Sequence, residues 1–223
     1  MADVAAGFCV GVAEVAIGYP FRTVTTRMMN NMTYFPLPLR SYYRGAVWPL
    51  GSAIACNGIG FSVKERTLKY TNQNHFLSGG VAGLVVAPVL FGFDVAMFRR
   101  QTGQPVRWGM FRDMRGALAA TSARESLALS LYFGTYHHLR EQRGWSTFAS
   151  GGMAGLANWS GTYWLETLRC RMICQRTDLR GAWRLGQLYV GFPVAAVRSV
   201  LVNSVSFSVF EYSRALFNRA ARQ

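Results

Sequence analysis

The sequence predicts an all-α membrane protein of six transmembrane helices, arranged as three tandem helical hairpins. Of its 223 residues, 51% are hydrophobic and only 15% are charged, too few for a soluble protein to cover its surface with charged groups. Six stretches nearly free of charge, each about 18–21 residues long, can cross a hydrocarbon layer of about 30 Å as helices. They are 4–21, 45–63, 76–93, 116–136, 148–165 and 191–210.

A period of about 72 residues divides the sequence into three repeats, 1–75, 76–146 and 147–223. Two sets of residues recur in register in the first helix of each repeat: Gly11, Gly83 and Gly155, and Arg27, Arg99 and Arg171. A second small residue precedes each of these glycines by four positions, and such pairs let helix backbones approach closely in lipid. We therefore expect three hairpins related by a pseudo-threefold axis.

The basic residues are concentrated in short segments between the spans. Lysine and arginine outnumber aspartate and glutamate by 24 to 10, an excess typical of proteins that bind nucleic acid or anionic lipid. Because the excess lies at the predicted membrane boundaries, we expect membrane lipids as partners and no nucleic acid. The arginine-rich segments 22–44, 99–115 and 169–184 are predicted to face the negatively charged compartment.

The sequence carries no pattern that indicates catalysis or metal binding. Its three histidines have no nucleophile or ligand spacing around them, and Cys170 and Cys174 lack a third ligand nearby. We expect no enzyme, no metal site and no cofactor. The first span starts almost at Met1 without a preceding basic segment, so we also expect no cleaved presequence.

Three segments occupy the same place at the end of the first helix in each repeat, 20–27, 92–99 and 164–171. They read Pro-Phe-Arg-Thr-Val-Thr-Thr-Arg, Gly-Phe-Asp-Val-Ala-Met-Phe-Arg and Trp-Leu-Glu-Thr-Leu-Arg-Cys-Arg. These resemble degenerate copies of Pro-x-[Asp/Glu]-x-x-[Lys/Arg]-x-[Lys/Arg], the motif of the mitochondrial carrier family. Residues 43–45, 114–116 and 191–211 are similar to segments of that family's even-numbered helices. The resemblance covers essentially the whole chain and implies the six-helix carrier fold.

The resemblance also implies a gate on the matrix side, where the acid of each repeat faces the base of the next. The candidate matrix-gate residues are Arg22, Asp94, Glu166 and Arg169. Of the three family pairs, this mapping retains only Asp94 with Arg169. It sets Arg22 opposite Met97 and Glu166 opposite Thr25, and leaves Arg22 within reach of Glu166.

A second gate is implied at the outer side, with an aromatic-acid-x-x-base motif in each repeat. The candidate outer-gate residues are Glu65, Arg140, Glu211 and Arg214. Only 210–214 carries the complete motif. The first repeat has Glu65 with Lys69 one place late, and the second has His137 in place of the acid.

Four ionisable residues lie well inside predicted spans: Glu14, Arg124, Glu125 and Arg198. Because charges are costly in lipid, these residues should face a watery cavity or pair with each other. The resemblance places Arg124, Glu125, Arg198 and Ser52 where the family contacts substrate, in a pattern similar to its amino-acid and carnitine branch. The alternative is an internal salt-bridge cluster left from an ancestral transporter.

The resemblance further implies short matrix-side helices and bound cardiolipin. The short helices are expected near residues 39–43, 108–113 and 181–188. Cardiolipin phosphates are expected at helix N-termini, where free N–H groups and the helix dipole attract anions. The candidate lipid-binding residues are Arg44, Gly45, Arg115, Gly116 and Gly191.

Two functions follow from this pattern, both for a multi-pass protein of the mitochondrial inner membrane. The absent gate pairs, two absent kink prolines and short repeats favour an accessory subunit of a larger assembly, of the respiratory-chain or ATP-synthase type. In that interpretation transport is impaired and other inner-membrane subunits are partners. The preserved cavity charges instead favour an active solute carrier that exchanges a carboxylate- or amine-bearing metabolite, such as an amino acid or carnitine.

Overall fold

The computed structural model describes residues 2–106, 114–199 and 201–202, and this part of the chain contains no strand. Five long helices and two short ones have complete bounds. They are α1 (Ala2–Met29), α2 (Leu39–Tyr42), α3 (Val47–Tyr70), α4 (His75–Gln101), α5 (Arg115–His137), α6 (Thr147–Gln175) and α7 (Leu179–Arg184). A π-helical turn, His138–Gln142, extends α5, and a last helix, α8, is described over 192–199.

The five long helices cover the first five predicted spans, and α8 begins where the sixth span is expected. The short helix α2 matches the expected matrix-side helix of the first repeat. In the third repeat, α7 begins two residues earlier than expected, because the side chain of Asp178 caps it by accepting from Gly181 N at 2.8 Å. The expected helix near 108–113 and most of the sixth span lie outside the described residues.

Only one described helix is long and apolar enough to cross a membrane by length and composition alone. This is α4, with 27 residues and a mean hydropathy of 2.1. The sequence-based expectation is therefore met in position for the first five helices, whereas length and composition alone identify only α4. The difference has a physical source in α5, where Arg124 and Glu125 face inward and lower the hydropathy of the helix. Since helices like α4 also occur in soluble cores, α4 alone does not establish a membrane protein.

Helices α4 and α5 pack closely through the small residues of the second repeat. A Cβ atom at Gly79 would lie 2.5 Å from the carbonyl oxygen of Leu129, and one at Gly83 would overlap the backbone of Glu125. These glycines therefore have the close-packing role that the sequence predicts for them. In α6, by contrast, a Cβ at Gly151 or Gly155 would meet no atom within 4 Å in the described part of the chain.

Three arginines join the C-terminal ends of α1, α4 and α6 in a ring, which we call the arginine ring. Each guanidinium donates to a backbone carbonyl of the next repeat, two positions beyond the equivalent arginine. The contacts are Arg27 Nε to Gln101 O (3.2 Å), Arg99 Nη1 to Ile173 O (3.2 Å) and Arg171 Nε to Met29 O (2.8 Å). The hydrogen bonds run from the first repeat to the second, from the second to the third and from the third back to the first.

The first and third repeats share a second set of contacts, between the odd helix and the start of the even helix. Tyr19 donates to the carbonyl oxygen of Arg44 at 2.7 Å, and Tyr163 donates to that of Val190 at 3.1 Å. The glycine that follows each acceptor, Gly45 or Gly191, has a positive φ of 84° or 79°. A residue with a Cβ would be strained there, so glycine is needed where the chain turns into the even helix.

Candidate functional site

A central cavity of about 210 Å³ lies between the helices that occupy the predicted spans. Each of α1, α3, α4, α5, α6 and α8 contributes side chains to its lining, which carries both charged and aromatic groups. The charged lining residues are Arg22, Asp94, Arg124, Glu166, Arg169 and Arg198. Burying this many charges is costly unless they are paired, so the contacts among them determine what the cavity can bind.

Asp94 and Arg169 form the central ion pair of the cavity. Arg169 Nη1 donates to Asp94 Oδ2, and both side chains are buried. Arg22 approaches the other carboxylate oxygen of Asp94, with Nη2 at 3.7 Å from Oδ1. The structure therefore brings the predicted Asp94–Arg169 pair together. Arg22 contacts the acid of the second repeat, and the expected contact with Glu166 is absent from the described ion pairs.

The two glutamates of the cavity also have arginine partners. Arg124 Nη1 lies 2.5 Å from Glu125 Oε1, and Arg124 Nε lies 3.3 Å from Glu166 Oε2. Arg169 Nη2 lies 2.7 Å from the same Glu166 oxygen. Because Arg169 is one turn from Glu166 on α6 and Arg124 reaches it from α5, this carboxylate has no need of a base on α1.

The two uncharged positions of the candidate matrix gate form no ion pair. Met97 is buried in the apolar core. The hydroxyl of Thr25 donates to the carbonyl oxygen of Phe21 on its own helix, at 2.9 Å. The two acids of the candidate gate are instead contacted by Arg22, which approaches Asp94, and by Arg124, which approaches Glu166.

Arg198 differs from the other arginines of the cavity. Within the described part of the chain, no carboxylate oxygen forms an ion pair with its guanidinium at 4 Å or less. Its guanidinium carbon lies 5.8 Å from the ring centre of Trp159, and that of Arg124 lies 5.6 Å from the same ring. Trp159 therefore stabilises two cavity arginines through cation–π contacts.

The remaining candidate cavity residues are less closely involved. Ser52 lines the cavity and donates to the carbonyl oxygen of Pro49 at 3.0 Å. Glu125 is buried in the ion-pair network behind Arg124. Glu14 is exposed and does not line the cavity.

Sequence reasoning missed the aromatic side chains that hold the arginines. Trp159 contacts Arg124 and Arg198, while Phe98 lies 6.0 Å from Arg22 and 5.6 Å from Arg169. The residue type alone does not distinguish an aromatic residue on the cavity side of a span from one that faces lipid. A helical projection placing Trp159 seven residues, or two turns, before Glu166 on α6 would have given the signal.

At the outer end, the candidate gate residues make local contacts only. Lys64 pairs with Glu65 at 3.0 Å in place of the expected Lys69, because the adjacent lysine is nearer to this carboxylate. Arg140 donates to the carbonyl oxygen of Trp145 at 3.0 Å, and no described acid pairs with it. The remaining two candidates, Glu211 and Arg214, lie outside the described residues.

The candidate lipid-binding residues lie at the starts of the even helices. Arg44, Arg115 and Gly116 are exposed, and Gly191 is buried. Gly116 borders a groove of about 760 Å³ between α5, α6 and α7. This groove is mostly apolar, and its polar side chains, Arg176, Thr177 and Asp178, follow one another at the end of α6.

Comparison with known proteins places this geometry in context. A profile described as mitochondrial carrier protein matches residues 140–221. The human protein named solute carrier family 25 member 45 is 25% identical, over 93% of this chain and 96% of that protein. A bovine protein named mitochondrial basic amino acids transporter is 26% identical, over 82% and 75%. The Schizosaccharomyces pombe glutamate/glycine mitochondrial carrier ymc1 is 25% identical, over 76% and 74%.

Proposed function

Because the chain belongs to the mitochondrial carrier family, we propose that it is a solute carrier that moves an amino acid across the mitochondrial inner membrane. The observation that carries this proposal is the central cavity, in which four arginines and two acids face a shared space. Two similar proteins are named as amino-acid carriers. A family member with this cavity suits the same class of solute.

The chemistry of the cavity suits the two charges of an amino acid. A carboxylate is bound well by a guanidinium, which offers paired N–H donors in one plane. Arg198 supplies such a group with no described carboxylate beside it. An ammonium group needs an acceptor, and the carboxylates of Asp94 and Glu166 line the same cavity.

Transport needs contacts that close one end of the cavity and open again. We propose that the pairs around Asp94 and Arg169, with the arginine ring beyond them, are the closed matrix-side gate. The ring arginines follow the acidic positions by five residues in α4 and α6, so the ion pairs and the ring form two layers. Both layers join different repeats, and both must break for solute to pass.

The accessory-subunit interpretation has less support than the proposal of a solute carrier. It depends on the family gate pairs that are missing from the sequence. Arg22 and Arg124 provide other ion pairs for these carboxylates, so a missing motif residue does not mean an unpaired acid. No comparison supports a role in a larger assembly, whereas the relatives carry the names of transporters and solute carriers.

The proposal is tested with the purified full-length chain in liposomes that contain cardiolipin. We expect exchange of external labelled amino acid against internal amino acid, and we expect Arg198→Ala to abolish it. A matched control is Arg66→Ala on the exposed end of α3, which should exchange normally. If the folded wild-type protein exchanges no amino acid, the transport function is wrong and co-purification from mitochondrial membranes tests the accessory role.

A further inference from the structure

Every acidic group of the cavity network is already in contact with an arginine. Asp94 contacts Arg169 and Arg22, and Glu125 contacts Arg124 at 2.5 Å. Glu166 contacts both Arg169 at 2.7 Å and Arg124 at 3.3 Å. An added cation therefore has to compete with an arginine for each carboxylate of this network.

The same network contains one cation in excess. Three carboxylates, Asp94, Glu125 and Glu166, face four arginines, of which only Arg198 has no described acid within 4 Å. Trp159 stabilises Arg198 in this position by a cation–π contact at 5.8 Å. A cation–π contact lowers the cost of burial but leaves the guanidinium N–H donors available.

A solute with a positively charged side chain meets two obstacles in such a cavity. Beyond the α-ammonium group that every amino acid carries, it must place a second cation and displace a further arginine from a buried carboxylate, which leaves that arginine without its partner. It must also enter a cavity whose charged lining residues are four arginines and two acids. A carboxylate, in contrast, meets Arg198 directly and pairs with the one arginine that has no described acid within 4 Å.

Building on the proposed function, we propose that the cavity selects amino acids without a positively charged side chain. The α-carboxylate binds Arg198, and arginine and lysine are discriminated against. The names of the relatives differ on this point, because several are named for basic amino acids or arginine and one for glutamate and glycine. For this chain we base the selectivity on the contacts that each of the three network carboxylates makes with an arginine.

Arg22 sets how strong the discrimination is. Its guanidinium is the most exposed of the paired arginines, with 34% of the side chain accessible, and it lies 3.7 Å from Asp94. Removing its charge brings the network to neutrality and frees one oxygen of Asp94. We expect Arg22→Gln to bind arginine better than the wild type does, while its affinity for glycine changes less.

The test compares glycine, glutamate, arginine and lysine as ligands of the full-length protein in lipid nanodiscs that contain cardiolipin. The readouts are the rise in Tm with each ligand and the Kd derived from it. We expect glycine and glutamate to bind at least about tenfold more tightly than arginine or lysine, the size of one charge-assisted hydrogen bond. Arg198→Gln should weaken the binding of glycine and of glutamate by a similar factor. The exposed control Arg66→Gln should change the Kd of neither ligand.

Equal or tighter binding of arginine or lysine by the wild type overturns the proposal, and so does a failure of all four ligands to raise Tm. Exchange measured in liposomes separates this result from the proposed function. Selective binding without exchange contradicts transport and leaves the selectivity intact. Exchange of arginine as fast as glutamate contradicts the selectivity and leaves the carrier function intact.

Discussion

The guanidinium of Arg171 is fully buried and donates from Nε to the carbonyl oxygen of Met29 at 2.8 Å, joining the third repeat to the first. Its Nη1 atom donates to the carbonyl oxygens of Ala182 and Gly186, at 3.2 and 2.7 Å. Carbonyls at a helix C-terminus lack partners within the helix. A buried cation placed there satisfies them and interacts favourably with the negative end of the helix dipole.

We predict that Arg171→Ala is the most destabilising change in the arginine ring. It removes three hydrogen bonds to buried or partly buried carbonyls, at about 1 kcal/mol or more each. Arg27→Ala should cost less, because Arg27 is only partly buried and makes two hydrogen bonds, of which the one to the carbonyl oxygen of Thr33 is exposed. Thermal unfolding in detergent measures both, with the exposed Arg180→Ala as control. Equal Tm values for the three variants would contradict the structural role of the ring.

A double-mutant cycle on Asp94 and Arg169 tests the ion pair between the second and third repeats. We expect Arg169→Gln to destabilise more than Asp94→Asn, because Arg169 also contacts Glu166 and lies 4.0 Å from Glu125. Removing one partner of a buried pair costs about 3–5 kcal/mol. The double variant should be less destabilised than the sum of the single variants by about 0.5–3 kcal/mol. Strict additivity of the Tm changes would show that the two residues do not interact.

The sequence predicts this ion pair but not the network around it. Asp94 and Arg169 can be identified because they match the family motif in adjacent repeats. The contacts of Arg124 with Glu166 and of Arg22 with Asp94 depend on side-chain directions across four helices. A motif read residue by residue contains no such information, so the absence of motif residues does not reveal which acids remain paired.

The fold shows the same division between local and tertiary information. The positions of the five long helices with complete bounds are predicted well, because charge-free stretches and repeated glycines are local signals. For α5 the sequence predicts that Arg124 and Glu125 are costly charges inside a span. It does not predict which groups they contact in the cavity. The carbonyl acceptors of the arginine ring are not predicted at all, since Arg27, Arg99 and Arg171 bond to backbone and have no complementary residue in the sequence.

Two glycines of α4 are predicted to respond in opposite ways to substitution by alanine. Gly83→Ala places a Cβ against the backbone of Glu125, and backbone cannot move aside without shifting α5. We expect a loss of about 1–3 kcal/mol from this overpacking. A Cβ at Gly92 would meet no described atom within 4 Å. Gly92→Ala should therefore stabilise by up to about 1 kcal/mol through helix propensity. Thermal unfolding of both variants gives the comparison, and a lower Tm for Gly92→Ala than for Gly83→Ala would contradict it.

The last prediction concerns cardiolipin at the starts of the even helices. Arg44 and Arg115 are exposed there, and Arg115 precedes Gly116 at the edge of the apolar groove between α5, α6 and α7. We propose that the phosphates of the lipid bind at these helix N-termini and that its acyl chains lie in the groove. Cardiolipin should then raise the Tm of the wild type more than a zwitterionic lipid does.

The double variant Arg44→Gln/Arg115→Gln should lose much of this rise. The matched control is Arg66→Gln/Arg180→Gln, which removes two exposed positive charges elsewhere on the protein. If cardiolipin were attracted only by the basic surface as a whole, both double variants would lose the same fraction of the cardiolipin-induced increase in Tm. A loss confined to the first variant indicates a site with defined geometry, because general electrostatic attraction depends on net charge and is screened by salt. Repeating the measurement at high salt checks this, since binding in the groove should retain part of the rise.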